Sequence, residues 1–164
     1  MNVDGPRGST FRTASLVALV AVALAVTSGP ASAGTHRADL DGSQEVPPVD
    51  TDAFGTAKLV LDKDAMTLHV VLTFEGLSSN QTGAHIHGPA PPGVNAGVLL
   101  PLPLGNIDQV FAVDAATIDA IQNGLAYFNV HTVNHPGGEI RGQITEQPTA
   151  VENGSWTGIK ALYR

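Results

Sequence analysis

The sequence predicts an all-β domain, an antiparallel sandwich or barrel of short strands with one short helix. Three observations lead to this fold class. Apolar residues alternate at a period of two in several short segments. Clusters of glycine, proline and asparagine separate these segments, as turns separate strands. One stretch between two predicted strands has the spacing and the end signals of a helix.

The first predicted hairpin covers residues 58–74. Leu59 and Leu61 share one face of its first strand. In residues 67–74 four apolar side chains share a face of the second strand: Leu68, Val70, Leu72 and Phe74. The short polar link at residues 62–65 predicts that the two strands pair as a hairpin.

A second hairpin is predicted near the end of the domain, where residues 126–132 and 139–145 flank a turn-forming segment at residues 134–138. Between the two hairpins Asp114 can cap a helix that runs through Ile118 and Ile121 and stops at Asn123-Gly124. This helix is expected to carry the chain across the end of the sheets.

Composition excludes several classes of protein. The 164 residues include 8 Lys+Arg and 15 Asp+Glu, for a formal net charge of −7, which argues against nucleic-acid binding. Hydrophobic residues make up 43% of the chain and charged residues 14%, enough apolar side chain for a core. The absence of cysteine excludes disulfides, thiolate chemistry and Cys-ligated metal sites.

The first 33 residues have the pattern of a secretory signal peptide. Arg7 and Arg12 precede an apolar run at residues 16–26, which is too short to cross a bilayer as a helix. Ala31-Ser32-Ala33 then supplies the small residues of a cleavage site before Gly34. We therefore expect a secreted, extracellular protein with no membrane segment after cleavage.

Three parts of the chain are predicted: the signal peptide at residues 1–33, a β domain at residues 34–146 and a C-terminal extension at residues 147–164. The extension is polar at first. Trp156, Ile159 and Leu162 then recur every three residues, which is compatible either with a short helical face or with a frayed tail.

Four segments of the predicted β domain, at residues 40–49, 84–90, 128–132 and 138–144, resemble the CHRD (chordin) domain family in their order and spacing. The resemblance covers about residues 39–144. It implies an immunoglobulin-like β-barrel in an extracellular setting, and it implies no established catalytic activity. Function therefore has to be argued from the residues of the site.

Our leading prediction is a non-enzymatic extracellular binding or structural module. Loops on a rigid β scaffold usually carry recognition, so residues 83–97 and 133–138 are the expected contact regions. An extracellular protein, a cell-envelope polymer or a metal ion would each be a suitable partner.

Histidines supply the candidate metal ligands. His85 and His87 leave the same face of an extended strand, and His131 lies on a later strand. If those strands are neighbours, three imidazoles converge and could bind copper or zinc. His135, in the predicted turn, is a weaker candidate. The structural alternative is that His85 and His131 bind backbone carbonyls and hold the loop at residues 88–97.

A remoter resemblance connects the same residues with the Greek-key β-sandwich of copper–zinc superoxide dismutases. His85 and His87 are similar to that family's His-x-His pair, His131 to its late ligand and Arg141 to its anion-guiding arginine. The bridging histidine, the zinc loop and the cysteine pair have no counterpart here. The resemblance implies, as the alternative function, a copper-dependent oxidoreductase or a copper carrier.

Cleavage before Gly34 would create a further candidate site. A free α-amine at Gly34, the amides of Thr35 and His36, and the His36 imidazole could hold Cu(II) or Ni(II) in a square plane.

Charged residues near the first strand are expected on the surface. A solvated acidic rim is predicted for Asp39, Asp41, Glu45, Asp50 and Asp52. Glu139 and Arg141 share a strand face, where they could form an ion pair that contributes well under about 1 kcal/mol if it is exposed.

Overall fold

The computed structural model of the chain describes residues 34–147 together with Met1. These residues form an all-β antiparallel fold with one short helix, as predicted. The strands are β1 Gly34–Asp41, β2 Phe54–Asp62, β3 Thr67–Glu75, β4 Gln81–His87, β5 Val98–Leu102, β6 Ile107–Ala112, β7 Tyr127–Thr132, β8 Ile140–Gln143 and β9 Thr145–Glu146, and the helix α1 is Ala115–Gln122.

The strands form one continuous sheet that curls into a half-barrel. Its order is β5-β4-β7-β8-β1-β2-β3-β6, with β9 paired to β1 beside β8. The helix α1 joins β6, at one edge of the sheet, to β7 in the other half, and it contacts β5 and β9. This crossover brings β7 beside β4, although 39 residues separate the end of one strand from the start of the other.

Both predicted hairpins and the predicted helix are confirmed. β2 pairs with β3 from Asp62 opposite Thr67, and β7 pairs with β8 from Val130 opposite Ile140. Asp114 caps α1, because its Oδ1 accepts a hydrogen bond of 2.8 Å from the backbone N–H of Thr117.

The apolar core lies on one face of the curled sheet. Because successive strand residues point to opposite faces, every second residue contributes to it. Leu68, Val70 and Leu72 of β3 are fully buried there, as are Ile86 of β4 and Phe128 of β7. In β4, β7 and β8 it is therefore the even-numbered residues that point into the core.

The alternate residues of β4, β7 and β8 form a polar layer on the other face. Loop segments cover it, since Gln143 Nε2 donates to the carbonyl of Ala90 and Asn95 Nδ2 donates to that of Val46. Several polar side chains of the layer are therefore buried. The members of the polar layer are His85, His87, Tyr127, Asn129, His131, Arg141 and Gln143.

Glu139 is fully buried, and no ion pair with Arg141 is present among the described residues, so the prediction of that pair is wrong. Its carboxylate accepts hydrogen bonds from the hydroxyls of Thr51, Ser78 and Thr132 and from the backbone N–H of Ser78, at 2.6–2.9 Å. Burial raises the pKa of Glu139, but these hydrogen bonds outweigh it and hold the pKa below its usual range. Glu139 thus ties three separate segments together.

Among the described residues no helix has the length and apolar character needed to cross a bilayer. The predicted signal peptide, apart from Met1, and the residues Trp156, Ile159 and Leu162 lie outside the described residues.

Replacing Glu139 by glutamine should lower the free energy of unfolding by about 1–3 kcal/mol at neutral pH, because an amide cannot accept all four hydrogen bonds. The folded-state pKa lies below that of the unfolded chain, so the carboxylate contributes its stability at neutral pH and loses it as the pH falls through the folded-state value. Urea unfolding across acidic and neutral pH measures both effects.

The matched control is Glu75→Gln, which removes an exposed carboxylate at the end of β3. A Glu139→Gln variant as stable as this control at neutral pH would contradict the role of Glu139 as a buried hydrogen-bond acceptor that joins three segments.

Candidate metal centre

Three histidines of the polar layer meet at one point. His85 and His87 come from β4, and His131 from the neighbouring β7. Their ring centroids are 5.0–5.9 Å apart, and one ring nitrogen from each lies within 4.8 Å of the others. His131 is paired with Gly83, where an added Cβ would lie 3.3 Å from His85 Cε1. The glycine therefore leaves room for two imidazoles side by side.

Backbone carbonyls determine which nitrogens are free. His87 Nδ1 donates to the carbonyl of Ala96 at 3.0 Å, and His131 Nδ1 donates to that of Pro136 at 3.1 Å. Each ring, when neutral, therefore has an unprotonated Nε2. His85 Nδ1 lies 3.1 Å from His131 Nε2, and His87 Nε2 is buried with no hydrogen-bond partner in the protein. Outer contacts of this kind commonly orient histidines that bind a metal.

Burial favours the neutral form of two of these rings. Desolvation lowers the pKa of His87, and the nearby charges of His85 and Arg141 lower it further, against a raising effect of the Ala96 carbonyl. Desolvation also lowers the pKa of His131, assisted by His85 and His87 and opposed by the Pro136 carbonyl. Metal binding requires the neutral imidazole, so these shifts extend the pH range of binding downward.

A stack of three side chains connects the histidines to Arg141. His87 lies against Tyr127, with centroids 5.2 Å apart and planes inclined by 12°, and the Arg141 guanidinium carbon is 3.5 Å from the Tyr127 centroid. The Tyr127 hydroxyl accepts a hydrogen bond from the N–H of Ala96 at 2.9 Å. The same loop residue thus contacts both His87 and Tyr127.

Arg141 is 1% exposed, and it donates to the Asn95 side-chain oxygen at 3.1 Å and to the Val94 carbonyl at 2.9 Å. The predicted anion-guiding role would require access to solvent, whereas these contacts direct the guanidinium into the loop. The sequence indicated the strand face of Arg141 but not the loop that covers it.

Glu45 does not belong to a solvated acidic rim, because it is 4% exposed. Its Oε2 lies 3.5 Å from Asn129 Nδ2 in the polar layer. Burial raises its pKa to about 7, against a lowering effect of the Arg141 charge. A Cβ added at Gly138, where φ is +131°, would overlap both Glu45 and Asn129, so the close fit requires glycine there.

Asp41 of the same predicted rim caps the short 3-10 turn Gly42–Gln44 that leads to Glu45. Asp39 and Asp52 are exposed, and Asp50 is exposed as well. The sequence predicted one exposed acidic rim for all five residues. Three of them are exposed, but nothing in the local sequence distinguishes them from Glu45, which is buried.

The other candidate histidines are elsewhere. His135 is half-buried in the turn after β7 and is not part of the group of three. Gly34, Thr35 and His36 begin β1, and His36 lies on the core face with its Nδ1 buried and without a partner in the protein. His69 lies on β3 beside Asp108, with 2.7 Å between Nε2 and the carboxylate.

Residues 36–144 match the CHRD domain family. No curated protein and no solved structure matches the chain.

The structure predicts the Nδ1–H tautomer for both His87 and His131, and protonation of both rings at lower pH than an ordinary histidine. Nitrogen NMR of the metal-free protein, followed from about pH 8 to pH 5, measures both properties. The same protein unfolded in urea is the control, and there all rings should titrate in the ordinary range. An Nε2–H tautomer in either ring at neutral pH would contradict the assignment.

Proposed function

The chain belongs to the CHRD domain family, and we propose that it is a secreted, non-enzymatic binding module that holds one transition-metal ion on His85, His87 and His131. Copper and zinc are the ions that suit a set of imidazole nitrogens. The convergence of three ring nitrogens within 4.8 Å is the observation that carries the proposal.

The donor set would close on such an ion by a modest movement of side chains. Histidine nitrogens bind zinc at about 2.0–2.1 Å, so in tetrahedral geometry two nitrogens on one ion are about 3.3 Å apart. The nitrogens of the group lie within 4.8 Å of one another, so binding would bring them together by up to about 1.5 Å. Side-chain rotation of this size is available to His85 and His131, which are only half-buried, while His87 is held by Ala96 and Tyr127.

A copper-dependent oxidoreductase or a copper carrier is the second candidate function. Three protein ligands leave a coordination position for water or a small molecule, which is the pattern of catalytic rather than structural zinc sites. Dismutation of superoxide by the copper-loaded protein, lost in His87→Ala, would favour this alternative. A copper-loaded protein without that activity would favour the binding module.

Export is the other part of the proposal. The signal-peptide pattern ends at Ala33, and β1 begins at Gly34, so cleavage there would leave the first strand whole.

The proposed function does not include a metal site on Gly34, Thr35 and His36. It would require amide nitrogens of a strand that is paired to β2 on one side and β9 on the other.

We expect one equivalent of Zn(II) or Cu(II) to bind the wild-type domain, and His85→Ala, His87→Ala and His131→Ala to bind far more weakly. The loss should exceed the about 10–100-fold that removal of an outer contact typically costs. Calorimetric titration measures the stoichiometry and the affinity.

His69→Ala is the matched control for this titration, because it removes a half-exposed strand histidine from a distant part of the sheet. Equal stoichiometry in the wild type, the control and all three site variants would reject the metal site.

Expression in a secreting host should yield a mature protein that begins at Gly34. Intact-mass spectrometry of the culture medium measures the start. The control is Ala33→Arg, in which a long charged side chain at the last position before the cut should prevent cleavage there. Wild-type protein retained in the cell with its first residues present would contradict the signal-peptide assignment.

A further inference from the structure

We propose that Arg141 makes this metal centre selective for monovalent copper, Cu(I), over divalent ions. The inference rests on the proposed metal site, and it assigns Arg141 a role in specificity through its charge rather than as a ligand.

Arg141 is buried, and within the described residues it forms no ion pair. In the described part of the chain the ion pairs are Arg37 with Asp39 and His69 with Asp108, so no acidic group lies within ion-pair distance of Arg141. Its partners are an amide oxygen, a backbone carbonyl and an aromatic ring, all of them neutral. Such partners satisfy the N–H donors but leave the positive charge uncancelled in a region with little solvent screening.

That charge is close to the proposed centre. Because the guanidinium stacks on Tyr127 and Tyr127 stacks on His87, the guanidinium carbon is within about 9 Å of the His87 ring. A bound ion would be a few ångströms beyond that ring at most. At an effective dielectric constant of about 20, one charge at about 11 Å changes a binding constant by about tenfold for each unit of charge on the ion.

The ligands themselves do not offset this effect. Three neutral imidazoles bring no negative charge, so nothing in the ligand set reduces the repulsion between Arg141 and the ion. A divalent ion is therefore repelled more strongly than Cu(I) by one full unit of charge. Glu45 lies beside the polar layer, where its carboxylate meets Asn129, and burial raises its pKa to about 7, so it is only partly ionised at neutral pH.

The test compares the affinities of the purified full-length mature protein for Cu(I), under anaerobic conditions with a colorimetric chelator, and for Zn(II). In Arg141→Met the ratio of Zn(II) to Cu(I) affinity should rise about tenfold. In Arg141→Lys, which keeps a charge, the ratio should stay within about threefold of wild type. A purely structural role for Arg141 would weaken both ions together and leave the ratio unchanged.

Lys58→Met is the matched control, because it removes one positive charge from an exposed position on β2 and should leave the ratio as in the wild type.

A second variant tests the same charge effect even if Arg141→Met does not fold. Glu45→Gln, measured at about pH 8 where the carboxylate is ionised, should shift the ratio further toward Cu(I).

An unchanged ratio in Arg141→Met, or a shift toward Zn(II) in Glu45→Gln, would overturn the role of Arg141 while leaving the metal site intact. If neither ion binds the wild-type protein at the three histidines, the proposed function itself fails. The two failures are therefore distinguishable.

Discussion

Strand alternation in β4, β7 and β8 is the constraint on which the rest of this structure depends. Ile86, Phe128 and Ile140 must enter the apolar core, and each is fully buried there. Their immediate neighbours therefore point to the opposite face, and a slip of one residue in any of the three strands would exchange the two faces. The burial of apolar side chains thus sets the positions of the histidines, although none of the three belongs to the core.

The polar layer differs from an ordinary outer face because loops cover it. Arg141, Tyr127 and His87 each bond to residues 94–96, so one short segment is held by a cation, a phenol and an imidazole. The segment in turn orients the His87 ring and excludes water from Arg141. An interior of this kind is costly unless its polar groups are satisfied, and a buried polar atom without a partner in the protein is a position where a water molecule or a ligand would be stabilised.

Sequence patterns were sufficient for the local structure and insufficient for long-range pairing. The alternation at Leu68, Val70 and Leu72 and the cap at Asp114 depend on neighbouring residues only, and both hairpins and the helix followed from them. The pairing of β4 with β7 depends on a crossover by α1, which no local pattern encodes. Burial of Glu45, Glu139 and Arg141 depends on loops packing over strands, which polarity alone does not predict, and the predicted exposure of Glu45 was therefore wrong.

The geometry also bears on the choice between a metal ligand and a structural histidine. The structural alternative expected His85 and His131 to hold the loop at residues 88–97. In the structure His87 holds this loop, through Nδ1 to the carbonyl of Ala96, and His131 donates instead to the carbonyl of Pro136. The Nε2 of His87 is buried without a partner in the protein, at a typical cost of about 1–3 kcal/mol for such an atom. Among the described residues with such an atom, His87 is the one that also belongs to the group of three converging histidines. A metal ion bound jointly with His85 and His131 would offset this cost, because the free lone pair is the one that coordination requires.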